Sequence, residues 1–209
     1  EKLIKKNVSQ FIPPESDRAL VFEGWEALCE RFAQPVFFEK SPQHPHHWAA
    51  IELMLEWANK TTFAFKFIGL VRHPLAVLYS AQQLFHSKPH DRQYPWLEAN
   101  HNILLMSHFV ERNRFMMIRY EDIVANAHEV FGDVFRFVGV DRDPTVGTSA
   151  RQSSVEGWKR DPQFSVCLAP SVIRLANYFG YSDFECCAAE PDRMTKKTKL
   201  LHCTESVVK

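Results

Sequence analysis

The apolar positions of this chain alternate between short β-rich runs and longer stretches with helical spacing, the pattern of a βαβ protein with a parallel sheet. Val36-Phe37-Phe38, entered from Pro35, predicts a short strand, and Ile51, Leu53, Met54, Leu55 and Trp57 then predict a helix. Phe63 to Val71 is the strongest strand signal, aromatic and β-branched. Behind it Leu75 to Ala81 predicts a helix, with Pro74 at the first helical position. Leu97, Ile103, Leu104, Met106, Phe109 and Val110 supply the apolar face of a longer helix from about Trp96 to Arg112. Phe115 to Ile118 is the third strand. Two further helices are predicted, His128 to Val138 and Pro170 to Phe179, stopped by Gly139 and Gly180. Residues 186–209 lose the periodicity and carry Lys196, Lys197 and Lys199, so they read as a tail behind one domain spanning 1–185.

Lys40, Arg72 and Arg119-Tyr120 each stand immediately after a predicted strand. In an open parallel sheet the carboxyl ends of the strands share an edge, and ligands bind in the crevice outside it, so cations there form a local anion site. Surface basic residues also terminate strands without any ligand, and a single one would carry no such argument.

Composition places that site on a neutral background. The 209 residues hold 25 basic and 25 acidic side chains and are 45% apolar, which suits a globular domain with a proper core and argues against a general phosphate-neutralising surface for nucleic acid. No run approaches the roughly 18 apolar residues of a membrane helix. Five cysteines, an odd number, make no disulfide framework and suit a reducing, cytoplasmic setting. Cys186, Cys187, His202 and Cys203 do not have the spacing of a zinc ribbon or finger, and no metal is expected.

The most specific stretch is Val71-Arg72-His73-Pro74-Leu75-Ala76-Val77-Leu78-Tyr79-Ser80. Arg72 offers a planar fork of donors suited to a phosphate, and the helix start behind Pro74 adds free N–H groups and the positive dipole end. Ser80 lies two turns in, and helical side chains lean toward the N-terminus, so its hydroxyl can point back to the same ligand. Arg72-x-Pro74 with Ser80 resembles the 3′-phosphate motif of sulfotransferases that use 3′-phosphoadenosine 5′-phosphosulfate. Three other segments resemble the same family in order. They are Glu39-Lys40-Ser41-Pro42, then Arg119-Tyr120-Glu121-Asp122-Ile123 with its following helix, and Ser153-Ser154 with Trp158-Lys159.

That resemblance implies an α/β fold, a three-layer sandwich with a central parallel sheet flanked by helices. It implies sulfuryl transfer from 3′-phosphoadenosine 5′-phosphosulfate to a hydroxyl or amine by in-line displacement. Arg72 and Ser80 would hold the 3′-phosphate, Tyr120, Trp158 and Lys159 would line the nucleotide site, and Lys40 would stand near the transferred group. An acceptor hydroxyl needs a general base. Some family members place a histidine two residues after the matching lysine. Here that position is Pro42, leaving His44, His46 and His47 nearby, with His44 as the candidate and Glu39 as a second. The family's glycine-rich 5′-phosphosulfate loop has no counterpart, since Gly24 is the sole glycine before Gly69, so the chain reads as lacking the first βα unit. The acceptor stays open among small molecules, glycans, lipids and peptides, and so does self-association. Two other readings also stay open: a non-catalytic module keeping the 3′-phosphate half-site, and a kinase-like P-loop transferase. The latter is opposed by the absence of any Gly-x-x-x-x-Gly-Lys-Ser/Thr.

Overall fold

The computed structural model describes residues 2–143, 145–146, 153–182 and 184. The expected tail, with Cys186, Cys187, His202 and Cys203, lies outside them. Among the described residues are nine α-helices and one parallel sheet of two strands, an α/β arrangement.

Two N-terminal helices, α1 (Lys2–Asn7) and α2 (Asp17–Phe32), precede α3 (Trp48–Lys60). Ser16 caps α2 by accepting the Ala19 amide, 3.1 Å. Glu26 joins α2 to α3, accepting Trp57 Nε1 at 3.2 Å and Thr61 Oγ1 at 2.7 Å. Strand β1 (Phe67–Val71) leads into α4 (Pro74–Phe85), whose first residue is the proline expected there. After α5 (Gln93–Phe109) the chain returns as β2 (Phe115–Arg119). The short α6 (Tyr120–Ala125) and the amphipathic α7 (Ala127–Val138) follow. Gly139 closes α7 at φ 85°, its amide donating to Phe135 O. Helices α8 (Ser153–Arg160) and α9 (Pro170–Tyr178) complete the described chain.

The two strands run parallel with Phe67 opposite Phe115 and Val71 opposite Arg119. The core lies where α4, α5, α8 and α9 meet: Leu75, Leu78, Val172 and Ala176 are completely enclosed, with Trp96 and Trp158 against them. Buried Gln93 ties this core to the stretch before α9. Its Nε2 donates to Cys167 O at 3.1 Å and its Oε1 accepts from the Ala169 amide at 2.7 Å. No described helix is long and apolar enough to cross a membrane.

One expected strand is not formed. Residues 36–40 have no regular backbone structure, so of the three cations expected after strands Lys40 follows none, Arg72 follows β1, and Arg119 is the last residue of β2. A strand exists by pairing with a neighbour. Val36-Phe37-Phe38 is a run of three apolar residues between prolines that remove donors at 35 and 42, and its Phe38 is 74% exposed. The second predicted strand is also shorter than its apolar run, beginning at Phe67, not Phe63.

Candidate active site at the strand ends

The register that pairs Val71 with Arg119 carries on beyond the strands. The next residues, Arg72 and Tyr120, lie side by side, with the guanidinium carbon 4.7 Å from the phenol ring centre. One step further the His73 amide donates to Glu121 Oε1 at 2.9 Å. The Arg72 carbonyl accepts from Trp96 Nε1 at 3.1 Å, so the peptide joining Arg72 to His73 is bonded on both its oxygen and its nitrogen.

A second layer covers these turns. Trp158, from α8, is 3% exposed and stacks on His73 with ring centres 4.9 Å apart and an interplanar angle of 15°. Lys159 lies 5.2 Å from the Trp158 ring. Tyr181, just after Gly180, meets His73 edge-on at 5.2 Å and donates its hydroxyl to Glu121 Oε2 at 2.7 Å. Arg119 sits over the Tyr181 ring at 4.5 Å. Burial, and then the Glu121 carboxylate, push the Tyr181 phenol far above its ordinary pKa of 10.0, outweighing the opposing pull of Arg119. Tyr181 is therefore a protonated donor at any working pH.

These groups border a cavity of about 210 Å³, lined among others by His73, Arg119, Glu121, Trp158 and Lys159. Arg119 Nε is buried there with no hydrogen-bond partner. A larger cavity, about 290 Å³, lies between Gln82, Lys88 and His90 on one side and residues 163–167 on the other, and contains none of the strand-end groups. Among the described residues no cluster of three His, Cys, Asp or Glu side chains gathers as a metal site would require.

Of the residues singled out by sequence, Arg72 and Tyr120 are brought together directly. Trp158 and Lys159 line the cavity together with His73, the residue after Arg72, whereas Arg72 and Tyr120 themselves do not line it. Ser80 is half-buried two turns into α4 and does not line the cavity. Neither Lys40 nor His44 lines it either. Lys40 is exposed on the irregular stretch, and His44 packs edge-on against Trp25 at 6.3 Å. The sequence does not mark Glu121 and Tyr181 as a pair: Glu121 stands within Arg-Tyr-Glu-Asp, but nothing local announces that Tyr181 returns to it.

Residues 12–144 match the sequence profile described as "Sulfotransferase family". The chain belongs to the sulfotransferase family. Among solved structures it is similar to the sulfotransferase domain from the Synechococcus PCC 7002 olefin synthase, with 24% identity and a TM-score of 0.64, over 78% of this chain and 64% of that one. It is also similar to the sulfotransferase domain from the curacin biosynthetic pathway, with 23% identity and a TM-score of 0.63, over 78% of this chain and 68% of that one. At these identities the likeness establishes the sulfotransferase fold, and the chain spans less than two thirds of the first domain's length. No curated protein matches the sequence. The crevice at the ends of β1 and β2 thus belongs to a chain with a sulfotransferase fold; Arg119 and Lys159 contribute its cationic side, and Arg72 stands at the adjoining turn, next to His73.

Proposed function

We propose that this chain is a sulfotransferase domain that binds 3′-phosphoadenosine 5′-phosphosulfate through the strand-end crevice and serves sulfuryl transfer to a hydroxyl or amine acceptor. The observation that carries this is the Arg72–Tyr120 pair, set by the strand register at the N-terminus of α4. Arg72 supplies the planar donor fork, α4 supplies the positive end of its dipole, and Ser80 is the hydroxyl on the same helix. Arg119 and Lys159 line the cavity, and their positive charge fits an anionic ligand there. When bound, the nucleotide provides a sulfuryl group whose S–O bond to the 5′-phosphate breaks as the bond to the acceptor forms. Lys40 is proposed as the cation that offsets charge developing on the leaving phosphate, and His44 as the group that takes the acceptor proton. The Lys40 role rests on the sequence resemblance; His44 is a nearby candidate, since the family's histidine position is Pro42 here.

Calorimetry with adenosine 3′,5′-bisphosphate and with ATP tests the donor reading. The bisphosphate should bind more tightly, and Arg72→Ala should weaken it by about tenfold or more, the worth of a charge-assisted phosphate contact. Preference for ATP, or undiminished binding by the variant, would overturn it. The position of Lys40 and His44 outside the cavity favours a second reading, a nucleotide-binding module without transfer activity. A radiolabelled sulfate-transfer assay of the wild type and of Lys40→Ala separates the two.

A further inference from the structure

We infer that Glu121 and Tyr181 are positioning residues that fix the direction in which Arg72 meets a phosphate, an inference that rests on the nucleotide-binding reading above. The side chain of Arg72 leaves the backbone at the point where β1 ends and α4 begins, and its aim depends on the orientation of the peptide plane between residues 72 and 73. That plane is held from both sides. Trp96 Nε1 bonds its oxygen at 3.1 Å and Glu121 Oε1 accepts from its nitrogen at 2.9 Å.

Glu121 can hold the plane only while its own carboxylate is fixed. Its second oxygen accepts the Tyr181 hydroxyl at 2.7 Å, and the phenol keeps the proton it donates. Tyr181 is located in turn by the Arg119 guanidinium over its ring and by the edge of His73. A chain of contacts thus runs from residue 181 through Glu121 to the Arg72 turn. An unfixed carboxylate at this place would present negative charge to an incoming phosphate, whereas one bonded on both oxygens has part of that charge taken up by its donors. Docking of the segment after α9 therefore sets the aim of the phosphate-binding arginine.

The test is calorimetric titration of the full chain with adenosine 3′,5′-bisphosphate and with adenosine 5′-phosphate, which lacks the 3′-phosphate. Glu121→Ala should weaken the bisphosphate by about tenfold and Tyr181→Phe by about threefold, while the monophosphate changes by less than about twofold. Glu121→Gln should recover most of the affinity, because its amide oxygen still accepts the His73 N–H and its NH₂ still reaches Tyr181. Exchange of the His73 amide, followed by NMR without nucleotide, should accelerate in Glu121→Ala and return toward wild type in Glu121→Gln. Variants that bind the bisphosphate as wild type does, or that lose both nucleotides equally, overturn the inference alone. A wild type with no preference for the bisphosphate overturns the underlying reading and the inference with it.

Discussion

Gly180 and Arg119 share a volume that a side chain at position 180 would invade: a Cβ there would stand 3.3 Å from Arg119 Nη1. The backbone at Gly180 also has φ 79°, in the left-handed region. Gly180→Ala therefore meets two costs, a strained dihedral and a displaced guanidinium. Gly139, at φ 85° with nothing within 4 Å of its Cβ position, meets only the first. Gly139→Ala should cost about 1 kcal/mol and Gly180→Ala about 2 kcal/mol, read as midpoints of urea denaturation. Equal losses would show that Arg119 yields freely.

Gln93 is 1% exposed, and both ends of its amide are used, one on the Cys167 carbonyl and one on the Ala169 amide. Gln93→Ala leaves two backbone groups without these partners in a region from which water is excluded. The expected loss is about 2–4 kcal/mol of unfolding free energy. Gln93→Glu should also destabilise, since a carboxylate accepts the Ala169 amide but cannot donate to Cys167. A neutral result for both would place the 167–169 stretch outside the cooperative core.

Cysteine reactivity should divide sharply between two positions. Cys29 is buried in α2, and burial first, then the Glu26 and Glu30 carboxylates, push its thiol pKa above the ordinary 9.0. Cys167 is exposed. Since the thiolate is the nucleophile, iodoacetamide at pH 8 should label Cys167 well before Cys29, as measured by peptide mass mapping over a time course. Comparable rates at both would mean that α2 opens on the labelling timescale.

Alkaline stability follows from Tyr181. Its pKa is higher in the folded state than in the unfolded chain, so the native state holds the proton more tightly. Below about pH 10 both states are protonated and the group adds no pH dependence. Above it the unfolded chain ionises first, so stability is lost as pH rises, by roughly 1.4 kcal/mol per pH unit from this group. Tyr181→Phe should flatten that part of the decline. The raised Cys29 thiol acts with the same sign from about pH 9, so the comparison is best made in a Cys29→Ala background.

Much of the fold can be read locally. The amphipathic run of α7 with its glycine stop and the proline that opens α4 are decided by neighbours a few residues away, and β1 and β2 show as apolar runs. Helix α5 runs Gln93–Phe109 where the apolar face suggests about Trp96 to Arg112, the usual slippage at helix ends. Val36-Phe37-Phe38 misleads because a strand depends on a partner elsewhere in the chain, and local composition does not say whether one arrives. The same logic divides the site. Arg72 and Tyr120 are legible singly, but their contact is set by the register between two strands. The bond from Tyr181 to Glu121 spans 60 positions and leaves no periodic trace.

The crevice has a thermodynamic consequence of its own. Its walls come from four separated stretches, the turns after β1 and β2, the interior of α8 and the residues following α9. No local unit of the chain contains it, so a ligand held there has no affinity for a partly folded state that has released any one stretch. Ligand saturation should therefore raise the free energy of opening for all four together, by RT ln(1 + [L]/Kd). In hydrogen exchange, added nucleotide would act as a clasp, merging segments that otherwise open separately into one cooperative unit.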